Sequence, residues 1–258
     1  MCYDIRYLTE RKLKIALHRE ADDELIAKLQ AELDRLYADS PHYYHVNGFA
    51  HPRLPVITDA EPGKIQLFTW GLIPFWVKDD KTAVKIQNQT LNARGETIFE
   101  KPSFREAAKK RRCIILAEGF FEHHHFKGKT YPFHILPKKK DLMYLAGLWE
   151  KWTDKTDGQT YYTVSIVTSK ANALMENIHN NPKQPGGRMP LILVPALAFE
   201  WLKTIGDPMD RKIVEELIQP YPENELISYT VPKLRGKDAV GNVVNAIYEF
   251  RYEELEEK

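Results

Sequence analysis

Six short runs of aromatic and β-branched residues dominate the chain from residue 65 to residue 194. Their sequences are IQLFTW, RCIILA, GFFEHHHF, TYPFHIL, YYTVSIVT and MPLILV, and clusters of Gly, Pro, Asp and Lys separate them. Runs of this length and composition are typical of β-strands that end in turns. A β-rich fold is therefore the first constraint that the sequence sets.

Helical segments lie irregularly among these predicted strands. From Asp22 to Tyr37 the apolar residues recur at helical spacing, and Asp22 is a suitable N-cap. Strands with helices scattered among them predict an α+β fold, in which helices flank a curved or barrel-like, mostly antiparallel sheet. The other segments predicted to be helical are Ser103–Lys110, Ala171–Ile178, Pro195–Thr204 and Asp210–Ile218.

The chain is predicted to form one domain over residues 1–258. No internal repeat, low-complexity segment or Gly/Ser-rich linker divides it. The helical segment near residues 20–38 is interpreted as an insertion, and the acidic end YEELEEK is predicted to be flexible.

Composition excludes several classes of protein. The chain is 43% hydrophobic and 28% charged with a net charge of +1, so its overall field attracts nucleic acid only weakly and an anionic ligand needs a local patch. Its two cysteines, Cys2 and Cys113, argue against a disulfide scaffold and fit a reducing compartment. Neither the apolar core of a signal peptide nor a membrane-length apolar run is present. We expect a cytoplasmic monomer that needs no cofactor and contacts no membrane.

Cys2 directly follows the initiator Met1. Once Met1 is removed, Cys2 carries an α-amine and a thiol on adjacent carbons, and reference pKa values of about 8 and 8.5 leave both groups partly deprotonated near neutral pH. Such an aminothiol condenses with an aldehyde to an imine, which the thiol closes to a thiazolidine ring. Its position alone favours the alternative that this cysteine is incidental, so a role for Cys2 depends on support from the other motifs.

Two neighbouring segments carry candidate DNA-binding residues. TWGLIPFW places Trp70 and Trp76 on a predicted loop, where their rings could stack on unpaired bases or instead cap the core. In TLNARGET, Asn92 and Arg94 point to one side if the segment is extended. An amide can orient a reacting group, and a guanidinium can bind a phosphate through two hydrogen bonds. The alternative for Arg94 is a surface ion pair with Glu96.

The segment LAEGFFEHHH carries candidate acid–base and metal-binding residues. Glu122 follows two aromatic residues in a predicted half-buried strand, where desolvation is expected to raise its pKa and make it a general acid or base. Glu118 is predicted to lie in a solvated turn. Strand alternation places His124 opposite its neighbours in His123–His125, and Cys113 is predicted to be buried, so no metal site is expected.

The segment IHNNPKQPGGRMPLIL carries His179 and Arg188. His179 ends a predicted helix, where an imidazole has either a structural or a proton-transfer role. Arg188 could bind a phosphate or pair with an acid, and the glycines between them lack the spacing of a phosphate loop. The basic runs Lys109–Arg112 and Lys138–Lys140 are typical of solvated helix ends and turns, and no function is assigned to them.

Together these motifs resemble one family, the SOS-response-associated peptidase (SRAP) family of abasic site processing proteins. The resemblance rests on an ordered set that covers most of the chain from Ile65 to about Lys203, preceded by MC at the start. The set is WGLIPFW, NARGET followed by PSFREA, RRCIILAEGFFE, YPFHI, AGLWEKW, YYTVSIVTSKAN, and IH followed by RMPLIL. It implies a single SRAP-like domain that acts on abasic sites in single-stranded DNA.

The resemblance also implies roles for individual residues. The processed N-terminal Cys2 would form a thiazolidine crosslink with the ring-opened sugar, alongside self-removal of Met1 and a lyase activity. Asn92 would orient the reacting N-terminus, Glu122 would move protons, and His179 would assist ring opening and crosslink reversal. The phosphate and the neighbouring base would be held by Arg94 and Trp70.

The chain departs from the family pattern in four places. It begins MCYDIR where the family commonly has MCGR, so an early arginine used for DNA contact is displaced, and Arg6 is a candidate substitute. His123 stands where Trp is common after the glutamate. NNPKQPGG is inserted before Arg188, and the helix from Asp22 to Tyr37 extends the family's early region.

Two functions from other classes are the alternatives. One is a thiol peptidase that acts on other proteins through a triad of Cys2, His179 and Asn92. The other is a non-catalytic module that binds single strands through Trp70, Trp76 and Arg94.

Overall fold

The computed structural model of the protein describes residues 3–6, 31, 43–139, 142–183 and 186–256. Cys2 and, apart from residue 31, the helical insertion near residues 20–38 lie outside these residues. Strands and helices are numbered below in chain order over the described residues.

A five-stranded antiparallel sheet contains the strand nearest the start of the chain. Its members are β1 (Asp4–Arg6), β2 (Val46–Asn47), β7 (Gly119–Phe126), β8 (Lys129–Pro137) and β13 (Leu226–Thr230). The strand order is β13-β8-β7-β1-β2, so β1 lies between β7 and β2 and not at an edge.

A second sheet of eight strands forms a barrel. Its members are β3 (Arg53–Thr58), β4 (Ile65–Trp70), β5 (Asn92–Arg94), β6 (Arg112–Ala117), β9 (Met143–Thr153), β10 (Thr160–Lys170), β11 (Arg188–Pro190) and β12 (Ile192–Leu193). Strands β10, β4, β3, β6 and β9 pair in that order, and β9 pairs again with β10 to close the ring. Only β4 and β5 run parallel to β10 among the described pairings. The prediction of an α+β fold with a barrel-like, mostly antiparallel sheet is confirmed.

The helices lie around these sheets. Helix α1 (Asp80–Gln89) was not predicted, because its apolar side is short: Ala83 is buried, Ile86 packs beside it, and most of the other residues are polar. The predicted helix Pro195–Thr204 is divided into α4 (Pro195–Ala198) and a 3-10 turn. The other helices are α2 (Arg105–Lys110), α3 (Ala173–Ile178), α5 (Pro208–Glu216) and α6 (Glu253–Glu256). No described helix is long and apolar enough to cross a membrane.

Strand alternation divides the buried side chains between two cores. In β6, Cys113 and Ile115 belong to a cluster that also contains Trp70 in the barrel and Phe120 of the five-stranded sheet. Ile114, on the opposite face of β6, belongs to a second cluster that packs under the helices. The first core therefore joins the two sheets, and it fixes the position of β7 relative to the barrel.

Candidate functional site

Glu122 and His179 meet where β7 and α3 pack against each other. Glu122 lies in the middle of β7, and His179 is the C-cap of α3, whose N-cap Asn172 accepts a hydrogen bond from the Met175 N–H at 2.9 Å. His179 Nδ1 and Glu122 Oε2 are 2.9 Å apart, and the two residues are only 6% and 8% exposed. A buried carboxyl in direct contact with an imidazole can exchange a proton with it.

The pKa of the Glu122 carboxyl lies below its usual value. Burial acts to raise this pKa, but the hydrogen bond with His179 and nearby positive charge outweigh burial. The His123 N–H also donates to Oε1 at 3.0 Å. The predicted upward shift is therefore wrong, and Glu122 is an ionised carboxylate at neutral pH that can accept a proton.

A cavity of about 630 Å³ opens beside this pair. Its size is in the range that accommodates small ligands. Tyr3, at the beginning of the described chain, lines this cavity together with Glu122 and His179. Other lining residues come from the β7–β8 hairpin and from the C-terminal part of the chain, and they include His123, His125, Lys129, Lys233, Arg235 and Tyr252.

The register of β1 explains why the start of the chain meets the cavity. Asp4 lies opposite Phe121, whereas β7 continues to Phe126. In the antiparallel direction the chain before Asp4 runs toward Glu122, and Tyr3 follows this path into the cavity lining.

Asp4 anchors β1 through a buried carboxylate. Asp4 is 1% exposed. Its Oδ1 accepts a hydrogen bond from Asn47 Nδ2 at 3.0 Å and lies 2.8 Å from His45 Nε2. Its Oδ2 accepts a hydrogen bond from Arg235. Burial alone would raise the pKa of Asp4, but the contact with His45 and the Arg235 charge lower it. A buried charge satisfied in this way fixes the strand in one position, because shifting β1 would leave the carboxylate unpaired.

A second buried ion pair holds the other end of β1. Arg6 Nη2 lies 2.8 Å from Oε2 of Glu118, whose side chain is fully buried. Two sequence-based predictions are corrected by this pair, since Glu118 is not solvated and the guanidinium of Arg6 is engaged within the protein. The Arg6 side chain is only 15% exposed, so its guanidinium presents little surface to DNA and is not a substitute for the displaced DNA-binding arginine.

Asn92 and Arg94 lie on β5, which runs along β10 at the barrel wall. Ala93 between them is fully buried, and Arg94 is exposed, as the extended-segment prediction requires. The residue next to Asn92, Leu91, accepts a hydrogen bond from Trp70 Nε1 at 2.8 Å.

Trp70 has a different role from the one predicted. Its side chain is 0% exposed, so neither face of the ring is open to a DNA base. This corrects its assignment as a base-stacking residue and supports the core alternative. Gly48 packs against the same ring, because a Cβ there would lie 3.2 Å from Trp70, and its N–H donates to the Tyr3 carbonyl at 2.7 Å. Trp70 and Gly48 thus connect the segment that carries Tyr3 with the one that carries Asn92.

The two remaining DNA-binding candidates have contrasting environments. Trp76 is 42% exposed and lies next to the exposed Phe75, so its ring is accessible. Arg188 instead forms a bidentate pair with Glu96, with Nη1–Oε1 and Nη2–Oε2 distances of 2.8 Å, and also donates to the Thr168 carbonyl. Its guanidinium is committed to these partners, which corrects its assignment to DNA and also replaces the Arg94–Glu96 pair considered as an alternative.

The three consecutive histidines follow the predicted alternation. His123 and His125 line the cavity, whereas the ring of His124 points to α3, with Nδ1 2.9 Å from the Asn177 carbonyl oxygen. Among the residues that the structure describes, no group of three His, Cys, Asp or Glu side chains is arranged to hold a metal ion.

Sequence interpretation missed the cavity residues that lie far from the motifs. Tyr3 was passed over beside Cys2, and Lys233 and Arg235 lie in KLRGK, a short basic run near the C-terminus. The charge pattern of KLRGK was a usable signal, as was that of the longer basic run Lys109–Arg112, to which the sequence assigned no function. The structure gives that run a structural role, because Arg112 is fully buried and donates to backbone carbonyls such as that of Trp201.

The chain matches known proteins in sequence. The family model of the SOS response associated peptidase (SRAP) matches residues 13–238, and the chain therefore belongs to this family. It is 39% identical over 182 residues to the abasic site processing protein YoqW of Bacillus subtilis, covering 70% of this chain and 75% of that protein. It is 32% identical over 153 residues to the abasic site processing protein HMCES of Gallus gallus, covering 52% and 43% of the two chains.

The fold also matches solved structures. A crystal structure of a protein from Bacteroides thetaiotaomicron superposes with a TM-score of 0.79 at 31% identity, covering 97% of this chain and all of that one. A protein from Bordetella bronchiseptica matches with a TM-score of 0.66 at 22% identity, over 89% of this chain and 99% of the other, which shows a shared fold.

The Glu122–His179 contact makes stability depend on pH. Glu122→Gln is expected to lower the free energy of unfolding by about 1–3 kcal/mol at pH 7, because a buried charge-assisted hydrogen bond is lost. Since the pKa of Glu122 is lowered in the folded protein, this difference should be constant above the usual value of 4.5 and shrink as the pH falls through the lower folded value. Urea unfolding from pH 7 to pH 3 measures it. The exposed Glu223→Gln is the control, and a difference that grows at low pH would contradict the assignment.

The buried hydrogen bond of Trp70 predicts a second effect on stability. Trp70→Phe removes the donor to the Leu91 carbonyl and should destabilise the protein by about 1–3 kcal/mol. Trp76→Phe, at an exposed ring, should change the free energy of unfolding by no more than about 0.5 kcal/mol. Denaturant unfolding of both variants is the measurement, and equal stabilities would show that Trp70 does not support the segment of Asn92.

Proposed function

We propose that this protein processes abasic sites in single-stranded DNA and that Cys2, exposed as the N-terminal residue after removal of Met1, is its nucleophile. Membership in the SRAP family and the resemblance to relatives named abasic site processing proteins support the proposal. The observation that carries it is the contact between Glu122 and His179 in a cavity that Tyr3 also lines.

Chain connectivity supports Cys2 as the nucleophile. Cys2 precedes Tyr3, which lines the cavity, and consecutive Cα atoms are about 3.8 Å apart, so its amine and thiol would have only a short distance to span. The buried pairs of Asp4 and Arg6 restrain the strand from which Cys2 extends. Such an anchored N-terminus would be held close to the reacting sugar without ordering a long segment for each reaction.

The proposed crosslink needs no oxidant, reductant or cofactor. The abasic sugar opens to its aldehyde when the anomeric hydroxyl loses a proton and the ring oxygen gains one. The α-amine of Cys2 adds to the aldehyde carbon, and loss of water gives an imine. The Cys2 sulfur then adds to the imine carbon and the thiol proton passes to nitrogen, which closes the thiazolidine ring. Covalent capture of this kind divides one difficult step into easier ones.

The buried pair supplies the proton transfers. Because Glu122 is ionised at neutral pH, it can accept a proton from the N-terminal ammonium or from His179, and its lowered pKa means that it passes this proton on readily. His179, oriented by Glu122 through Nδ1, would exchange protons with the sugar through Nε2. Asn92 would orient the N-terminus from the barrel wall, in a segment held by Trp70.

Exposed residues are left to hold the DNA. Arg94 and Trp76 are accessible, and we assign to them a phosphate contact and a stacking contact with a base. The net charge of +1 provides little general attraction, so binding would depend on these local contacts.

We also propose that the same residues support self-removal of Met1 and a lyase activity. The family description includes the word peptidase. A triad in which Asn92 orients His179 is not supported, because Glu122 engages Nδ1 of that ring. Cleavage of other proteins in trans is therefore not part of the proposal.

A crosslinking assay tests the proposal. The mature protein, with loss of Met1 verified by mass spectrometry, is incubated with a single-stranded oligonucleotide that carries one abasic site and is run on a denaturing gel. We expect a shifted band that survives high salt and is absent in Cys2→Ala, because the thiol closes the stable ring. Cys113→Ala, which alters a buried cysteine, should still crosslink. No band, or a band that persists in Cys2→Ala, would refute Cys2 as the nucleophile.

The proton-transfer role predicts a split between rate and affinity. Glu122→Gln should slow crosslinking by about 10²–10⁴-fold, because that is the usual contribution of a positioned acid or base. Its affinity for undamaged single-stranded DNA should stay nearly unchanged, as measured by fluorescence anisotropy. If both quantities fall equally, Glu122 has a structural role only.

A further inference from the structure

One wall of the cavity carries a guanidinium that the proposed reaction does not use. Arg235 lines the same cavity as Glu122 and His179, although it lies more than fifty residues away from either in the sequence. Its side chain is 44% exposed, and its Nη2 donates to the buried Asp4 carboxylate. A guanidinium has five N–H donors, so one edge can be anchored while the others face a ligand.

The backbone around Arg235 is also fixed. Leu234 is 7% exposed and belongs to a cluster with Phe121 of β7, Val231 and Ala246. The Val240 N–H donates to the carbonyl of Lys233 at 3.0 Å, which closes the following turn. Both the main chain and the end of the side chain of Arg235 are therefore held before any ligand arrives, which reduces the entropy lost on binding.

The charge of Arg235 acts inside the cavity. Burial is the largest cause that lowers the pKa of His123, and the Arg235 charge is the next. Asp4 and Glu122 act on His123 in the opposite direction, and His45 adds to the lowering. His123 is thus biased toward its neutral form, and Arg235, which lines the cavity together with Lys233, offers a permanent positive charge and a bidentate guanidinium to an anion.

We propose that Arg235, positioned by Asp4, binds a backbone phosphate next to the abasic sugar. This inference rests on the proposed function. A guanidinium binds a phosphate through two parallel N–H groups, and a cavity of about 630 Å³ has the size of a small-ligand site. Asp4 is a positioning residue here, because its buried carboxylate fixes the direction of the guanidinium and does not itself line the cavity.

Salt-dependent binding tests the contact. All proteins carry Cys2→Ala to prevent crosslinking, and the probe is a fluorescent single strand with one tetrahydrofuran abasic analogue. Arg235→Gln should weaken binding about tenfold at low salt, as loss of a charged hydrogen bond predicts. It should also reduce the slope of log K against log salt by about 0.7, the value for one phosphate on a single strand. Arg235→Lys should keep the slope, because it retains the positive charge. It should bind more weakly, because an ammonium cannot donate the two parallel N–H groups of a guanidinium.

The matched control is Arg251→Gln. It removes the same charge from an exposed position that does not line this cavity, so it should leave the slope unchanged. Unfolding curves check that each variant is folded, and Arg235→Lys preserves the partner of Asp4 if Arg235→Gln is unstable.

The outcomes separate this inference from the proposed function. Equal slopes for Arg235→Gln and Arg251→Gln, with the parent protein still binding DNA, would overturn the phosphate contact alone. Absence of any binding by the parent protein would overturn both. A further experiment measures the melting temperature with inorganic phosphate. If phosphate raises the melting temperature only when Arg235 is present, while Arg235→Gln and Arg251→Gln have equal salt slopes for DNA, the site binds a free anion and the DNA contact is refuted.

Discussion

The position of β1 inside the five-stranded sheet depends on two buried carboxylates, Asp4 and Glu118, that are each paired with an arginine. The charges of Asp4 and Arg6 are each satisfied by residues distant in sequence, Arg235 and Glu118. Removing the partner of a fully buried charge typically costs about 3–5 kcal/mol, a figure that applies to the Arg6–Glu118 pair, whereas the half-exposed Arg235 makes the Asp4 pair weaker. Together with the hydrogen bonds to β7 and β2, these pairs hold β1 in a single register beside the cavity.

The two sheets contribute different parts of the site. The five-stranded sheet carries Glu122 on β7 and directs Tyr3 into the cavity, while the barrel carries Asn92 on β5, which does not line this cavity and whose role is part of the proposal. Their shared core, which includes Trp70, fixes the position of one sheet relative to the other. Helix α3 completes the arrangement by placing His179 against Glu122. The proposed chemistry therefore uses groups whose mutual positions are set by packing and not by a single motif.

Local patterns were sufficient where the signal was periodic. The runs IQLFTW, RCIILA and GFFEHHHF coincide with β4, β6 and β7, because aromatic and β-branched residues fit a pleated, half-buried surface. The polar helix α1 escaped prediction, since a helix that buries little shows no stripe. Charges were the least predictable, because whether a side chain such as Glu118 or Arg188 faces water depends on partners that the fold supplies.

The sequence by itself determined the fold class, the SRAP family and the candidates Cys2, Asn92, Glu122 and His179, because these depend on composition and ordered motifs. Only the tertiary structure decided that Trp70 is buried, that Arg188 is held by Glu96, and that Glu122 is ionised. It also brought Arg235 to the cavity beside Asp4. The physical reason is that burial and charge pairing arise from contacts between distant segments, which no local pattern specifies.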